Sequence, residues 1–206
     1  MLAPTARLSV WHNPRFRSGF AVLTALRHPV SRPGLVEGWL AHAFRAPRSL
    51  RDWLTDRGSL TRRLRARHAD FRVRPLRRGA ARPHPDERRP LGLARGELAY
   101  VRDVLLVGDG RNRVFAHSVL ARASLAGGWH RITRLGARPL GEALFRDPRV
   151  RRRGLVVRKL DARHPLHRAA CRGANIAAPA LWARRSVFCL GGRPLLVTEV
   201  FLPDLP

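Results

Sequence analysis

Lysine is almost absent from this 206-residue chain: Lys159 is the only lysine among 41 basic residues, which outnumber 14 acids to give a formal net charge of +27. Cysteine is scarce too. Cys171 and Cys189 are too few for a disulfide framework and lack CxxC spacing, so both read as free thiols in a reducing, cytoplasmic compartment. No apolar run approaches the roughly 20 residues that span a bilayer, and the short patch GFAVLTAL runs into Arg27 and His28 instead of a small-residue cleavage site. No transmembrane segment is expected. P-loop, GxGxxG and GxSxG motifs are also missing, so nothing supports a nucleotide cofactor or serine hydrolase chemistry.

The positive charge is spread over the whole chain. No RNP-like aromatic strand, zinc-finger spacing or basic-leucine pattern accompanies it, so no specific nucleic-acid partner is expected, while a small dianion would be attracted. With 45% hydrophobic residues, the chain has enough apolar surface for one globular domain, read as a monomer.

Residues 1–45 form a basic extension with one amphipathic segment, GLVEGWLAHAF, where Leu35, Val36, Trp39, Leu40 and Phe44 fall on one helical side. Residues 46–206 carry the regular patterning. The stretch from Ser49 to His68 predicts two short helices, the first capped by Ser49, with Gly58 and Ser59 between them. FRVRPL, from Phe71, alternates as an edge strand that tolerates Pro75, and RRGAARPHPDERRP reads as a mobile connection. Asp109-Gly110 and Gly191-Gly192 each separate two alternating runs, the signature of tight hairpins. Residues 132–145 contain a short helix, and residues 146–180 read as a long, arginine-rich insertion or flap. The pattern predicts an α+β fold, a single domain with helices packed on an antiparallel β-sheet.

Two strand residues break the apolar pattern. In GGRPLLVTEVFLP, Glu199 shares a face with Leu195, Val197 and Phe201; in the first hairpin Arg102 shares one with Tyr100, Val104 and Leu106. A charged group on such a face must be paired or used. Either Arg102 and Glu199 pair with each other in the core, or both line one cavity and hold the two ends of a ligand. His117, between Phe115 and Val119, reads as a satisfied core or rim histidine. His164, His167 and Cys171 fall at i, i+3, i+7, a weak metal pattern interrupted by Pro165 and lacking a fourth ligand.

Five segments, in order, resemble the chorismate lyase family: DWLTDRGSLTRRL, VRDVLLVGDG, LGARPLGEALF, LWARRS and GRPLLVTEVFLP. The resemblance covers residue 46 to the end. It implies a chorismate lyase-like α+β domain whose helices enclose an internal ligand cavity. The implied activity removes pyruvate from chorismate, leaving 4-hydroxybenzoate for ubiquinone biosynthesis, without metal or cofactor. By position, Arg102 would grip the ring carboxylate, Leu60 and Leu140 would supply wall and backbone donors beside it, and Glu199 would hydrogen-bond the ring hydroxyl. Leu60 stands where some members carry methionine, and His117 where many carry arginine. Two other readings are a non-catalytic ligand-sensing domain of the same fold and a basic nucleic-acid-binding protein.

Overall fold

The computed structural model describes residues 38–203. Its alternating runs become six strands: β1 (Phe71–Ala81), β2 (Ala99–Gly108), β3 (Arg111–Ala121), β4 (Arg151–Asp161), β5 (Ala180–Leu190) and β6 (Arg193–Phe201). They form one antiparallel sheet in the order β1-β2-β3-β6-β5-β4. Both expected hairpins are present. Asp109 and Gly110 have φ of 51° and 74°, and Gly191 and Gly192 have 55° and 77°, the paired left-handed conformations that match the twist of two-residue hairpins.

Helices cover both faces. On the front lie α1 (Arg48–Thr55), α2 (Leu60–Arg67) and α4 (Leu140–Arg146); on the back lie α3 (Pro85–Leu91) and α5 (Pro165–Ala174). Trp53, Leu54 and Leu64 of α1 and α2 pack on Val104, Leu106 and Phe201, while Leu140 and Leu144 of α4 meet Tyr100, Val197 and Phe188. Behind the sheet, Leu166, Ala170 and Ala174 of α5 pack on Leu105, Phe115 and Val200. Each large apolar side chain buried this way contributes about 1.5–3 kcal/mol. Covered on both sides, β2 is buried along its whole length.

Several local expectations need correction. Ser49 lies inside α1, whose N-cap is Pro47; Ser59 instead caps α2, its hydroxyl accepting from the Arg62 amide. The helix expected at 34–44 is not formed over 38–44, where Leu40 makes an isolated bridge to Val157 and Trp39 is buried; Leu35 and Val36 lie outside the described residues, as does most of the expected 1–45 extension. The connection expected to be mobile, Arg77 to Pro90, instead completes β1 and forms most of α3. Pro85 starts that helix, and the Glu87 carboxylate accepts from the His84 amide. Residues 146–180, read as an arginine-rich insertion or flap, contain edge strand β4 and helix α5. Pro75 sits where expected, on edge strand β1 beside a register shift.

Candidate active site

Arg102, Glu199, Leu60 and Leu140 all line one cavity on the front face of the sheet. Its atom-free space, counted out to the mouth, is about 580 Å³. The floor is set by register. Arg102 of β2 pairs with Ser118 of β3, and Glu199 of β6 pairs with Ala116 of β3. Small residues on the intervening strand therefore leave room above the sheet. Two strand spacings and one two-residue step separate Arg102 from Glu199, putting their Cα atoms about 10–12 Å apart. The walls between them are apolar, from Val104, Leu106, Leu144, Phe188 and Val197.

Arg102 and Glu199 do not pair with each other. Arg102 Nη2 donates to the carbonyls of Gly136 and Arg138, both at 3.0 Å, in the turn before α4. Its other donors make no hydrogen bond among the described residues. Burial pulls this guanidinium below the usual arginine range, with the nearby Tyr100 acting the other way, yet an arginine stays charged. A buried cation with open donors can receive a carboxylate. Beside it, Leu60 and Leu140 open α2 and α4, whose first amides have no intrahelical acceptors. The two helix starts meet closely: a Cβ on Gly141 would stand 2.9 Å from Thr61 Oγ1.

Glu199 has a partner that sequence reasoning missed. Arg184, its cross-strand neighbour on β5, donates from Nε to Glu199 Oε2 at 2.5 Å. Arg184 Nη1 also donates to the Trp53 and Asp56 carbonyls at 2.7 and 2.8 Å, tying the end of α1 to the sheet. Glu199 Oε1 makes no hydrogen bond among the described residues, and Glu199 lines the cavity. The signal was available in ALWARRSVFCL. Two consecutive arginines in an otherwise apolar strand must point to opposite faces, and each needs an acid.

The second of them, Arg185, belongs to a separate ionic network behind the sheet. Arg185 Nη1 reaches Asp86 Oδ2 at 2.8 Å, its Nε donates to Thr198 Oγ1 at 2.9 Å, and its guanidinium lies 3.9 Å over the Trp39 ring. Trp39 Nε1 also donates to Asp86. His117 contacts Asp103 through Nδ1 at 2.5 Å and Glu87 through Nε2 at 3.0 Å, and its ring stacks on His84. His117 thus faces away from the cavity. Burial opposes its protonation, but the Glu87 charge and the hydrogen bond with Asp103 prevail and push its pKa up to about 9.

A histidine raised from 6.5 to about 9 on folding stabilises fully below pH 6.5, and that stabilisation disappears as pH climbs through 9. Urea unfolding should therefore show stability falling between pH 6.5 and 9, and His117→Gln should flatten that limb. An unchanged slope in the variant would remove His117 as its cause.

Among the described residues, His84, Glu87 and His117 bring potential metal ligands within 4.8 Å of one another. Each ring nitrogen of His117 already faces a carboxylate, Asp103 at Nδ1 and Glu87 at Nε2, which is the arrangement of a buried histidine–acid cluster. His164 and His167 also have partners, and His164 Nε2 lies 3.5 Å from Asp86 Oδ2. His164 caps α5, accepting from the Leu166 amide, and His167 Nε2 lies 2.9 Å from the Ala178 carbonyl.

Residues 39–205 match the family model described as chorismate lyase. A probable chorismate pyruvate-lyase from Thiobacillus denitrificans is 67% identical, the match covering 89% of this chain and 98% of the relative. One from an Azoarcus species is 55% identical, covering 87% and 96%. Among solved structures, the PhnF C-terminal domain aligns at TM-score 0.52 and 15% identity over 65% of this chain and 83% of that one. PhnF from Mycobacterium smegmatis aligns at 0.51 and 13% identity, over 72% and 65%. These two likenesses establish the fold alone. No helix among the described residues is long and apolar enough to cross a membrane. With a family model spanning nearly all the described residues and relatives matched over almost their whole length, the chain belongs to the chorismate lyase family.

Proposed function

We propose that the front cavity binds chorismate between Arg102 and Glu199 and there releases pyruvate, leaving 4-hydroxybenzoate that feeds ubiquinone biosynthesis. The observation that carries this reading is the separation of the two groups. A guanidinium with open donors and a carboxylate with a free oxygen stand at opposite ends of one apolar slot, matching a ring with a carboxylate at C1 and a hydroxyl at C4.

The reaction breaks the C3–O bond and removes the hydrogen from C4. The enolpyruvyl methylene takes up that hydrogen and becomes the methyl group of pyruvate, while the diene becomes aromatic. Because aromatisation drives the step, the protein's main contribution is to hold one reactive geometry. Arg102 and the first amides of α2 and α4 fix the C1 carboxylate. Glu199 Oε1 accepts from the C4 hydroxyl and favours electron release toward the breaking bond. The apolar walls exclude water that would compete for both contacts.

The purified protein should convert chorismate to 4-hydroxybenzoate and pyruvate in one-to-one amounts, measured by product absorbance and a coupled pyruvate assay. Absence of both products would overturn the assignment. Formation of pyruvate without 4-hydroxybenzoate would instead reassign the cavity to another pyruvate-releasing reaction.

A further inference from the structure

Three arginines and one glutamate line the cavity: Arg102, Arg152, Arg184 and Glu199. Their formal sum is +2. Arg102 and Arg184 already have roles, and Arg184 is locked by Glu199 and by two α1 carbonyls. Arg152 is unassigned. It comes from edge strand β4 and reaches over β5, where its Nε donates to Ser186 Oγ at 2.8 Å. Nη1 donates to the Arg57 carbonyl at 2.7 Å, in the turn between α1 and α2. The guanidinium is thus held in one orientation, 5.5 Å from the Phe188 ring centroid. Its Nη2 makes no hydrogen bond among the described residues.

The order of the strands gives this arginine its meaning. Across the sheet the cavity groups run Arg102 on β2, Ser118 and Ala116 on β3, Glu199 on β6, Arg184 and Ser186 on β5, then Arg152 on β4. A chorismate ring laid from Arg102 to Glu199 has its ether at C3, next to the C4 hydroxyl. That substituent ends in a second carboxylate and has only one direction with an unsatisfied cation ahead of it, toward β5 and β4. The cavity's formal +2 then matches a dianionic substrate, whereas 4-hydroxybenzoate carries a single carboxylate, at the Arg102 end.

We infer that Arg152 binds the enolpyruvyl carboxylate of chorismate, and so distinguishes the dianionic substrate from its monoanionic aromatic product. Burial draws the Arg152 guanidinium below the usual arginine range, reinforced by the charge of Arg184, a cost that an incoming carboxylate relieves. Once the C3–O bond breaks, pyruvate stays with Arg152 and the aromatic product with Arg102. The two products are therefore held by different ends of the site.

This inference rests on the proposed reading of the cavity, and its test keeps the two apart. Arg152→Met preserves the stem beside Phe188 but removes the charge. It should raise KM for chorismate about 10- to 100-fold, the range for losing a hydrogen bond to a charged group. Its Kd for 4-hydroxybenzoate, measured by calorimetry, should stay within about twofold of wild type, which also shows that the cavity has folded. Arg152→Lys should recover part of the KM loss. An unchanged chorismate KM in Arg152→Met, or an equal loss of 4-hydroxybenzoate affinity, overturns the role of Arg152 while leaving the cavity assignment standing. Wild-type protein that neither turns over chorismate nor binds 4-hydroxybenzoate overturns the cavity assignment itself.

Discussion

Replacing Arg102 or Glu199 by alanine is expected to lower kcat/KM for chorismate at least about 100-fold, the scale of losing an oriented electrostatic donor or a positioned carboxylate. The two losses differ in kind. Arg102→Ala removes the group proposed to capture the ring carboxylate, so 4-hydroxybenzoate affinity should collapse with turnover. Arg102→Lys should remain poor, because in the proposed site the guanidinium must receive the ligand while it is held by the Gly136 and Arg138 carbonyls, a geometry an ammonium cannot copy. Glu199→Ala leaves that capture intact and acts mainly on kcat. Steady-state kinetics with product-binding calorimetry separates the cases, and near-normal kcat/KM in either alanine variant would remove that residue from the site.

The second large effect is on stability. Arg184 is 1% exposed and satisfies three acceptors, the Glu199 carboxylate and the Trp53 and Asp56 carbonyls at the end of α1. Arg184→Met should destabilise the fold by about 3–5 kcal/mol, because the carboxylate is left beside the sheet without its cation and α1 loses its terminal partner. Urea unfolding measures this directly. Adding Glu199→Met should recover part of the loss, since the orphaned charge is then gone. A single variant as stable as wild type would show that the pair contributes nothing net to folding.

How far the sequence revealed this architecture depended on which physical signal each segment carried. The hairpins at Asp109-Gly110 and Gly191-Gly192 were legible because left-handed turn conformations demand particular residues. The strands beside them were legible because burial on both faces demands apolar ones. Strand β4 was not. It lies at an edge, exposes arginines, and shifts register between Arg153 and Val156, which interrupts the alternation that marks a strand. Helix α3 was hidden by prolines that normally signal a loop, although Pro85 at its first turn is favourable. Arg102 and Glu199 stood out as lone charges in apolar strands, but Arg184 and Arg185 were overlooked in a chain where arginine is everywhere. Excess of one residue type masks the few copies that matter.

The two polar rows on β6 also constrain how the sheet assembles. Glu199 points forward to Arg184, while Thr198 points backward to Arg185, with Asp86 and Glu87 close behind. Sliding β6 by one residue would turn Glu199 to the back and crowd a third carboxylate against those two acids. It would also turn apolar Leu196 and Val200 out of their packing and leave Arg184 without its acid. Misaligned pairing is therefore penalised electrostatically as well as by lost packing, so the same two rows of charge that flank the sheet also fix the register in which β6 joins β5.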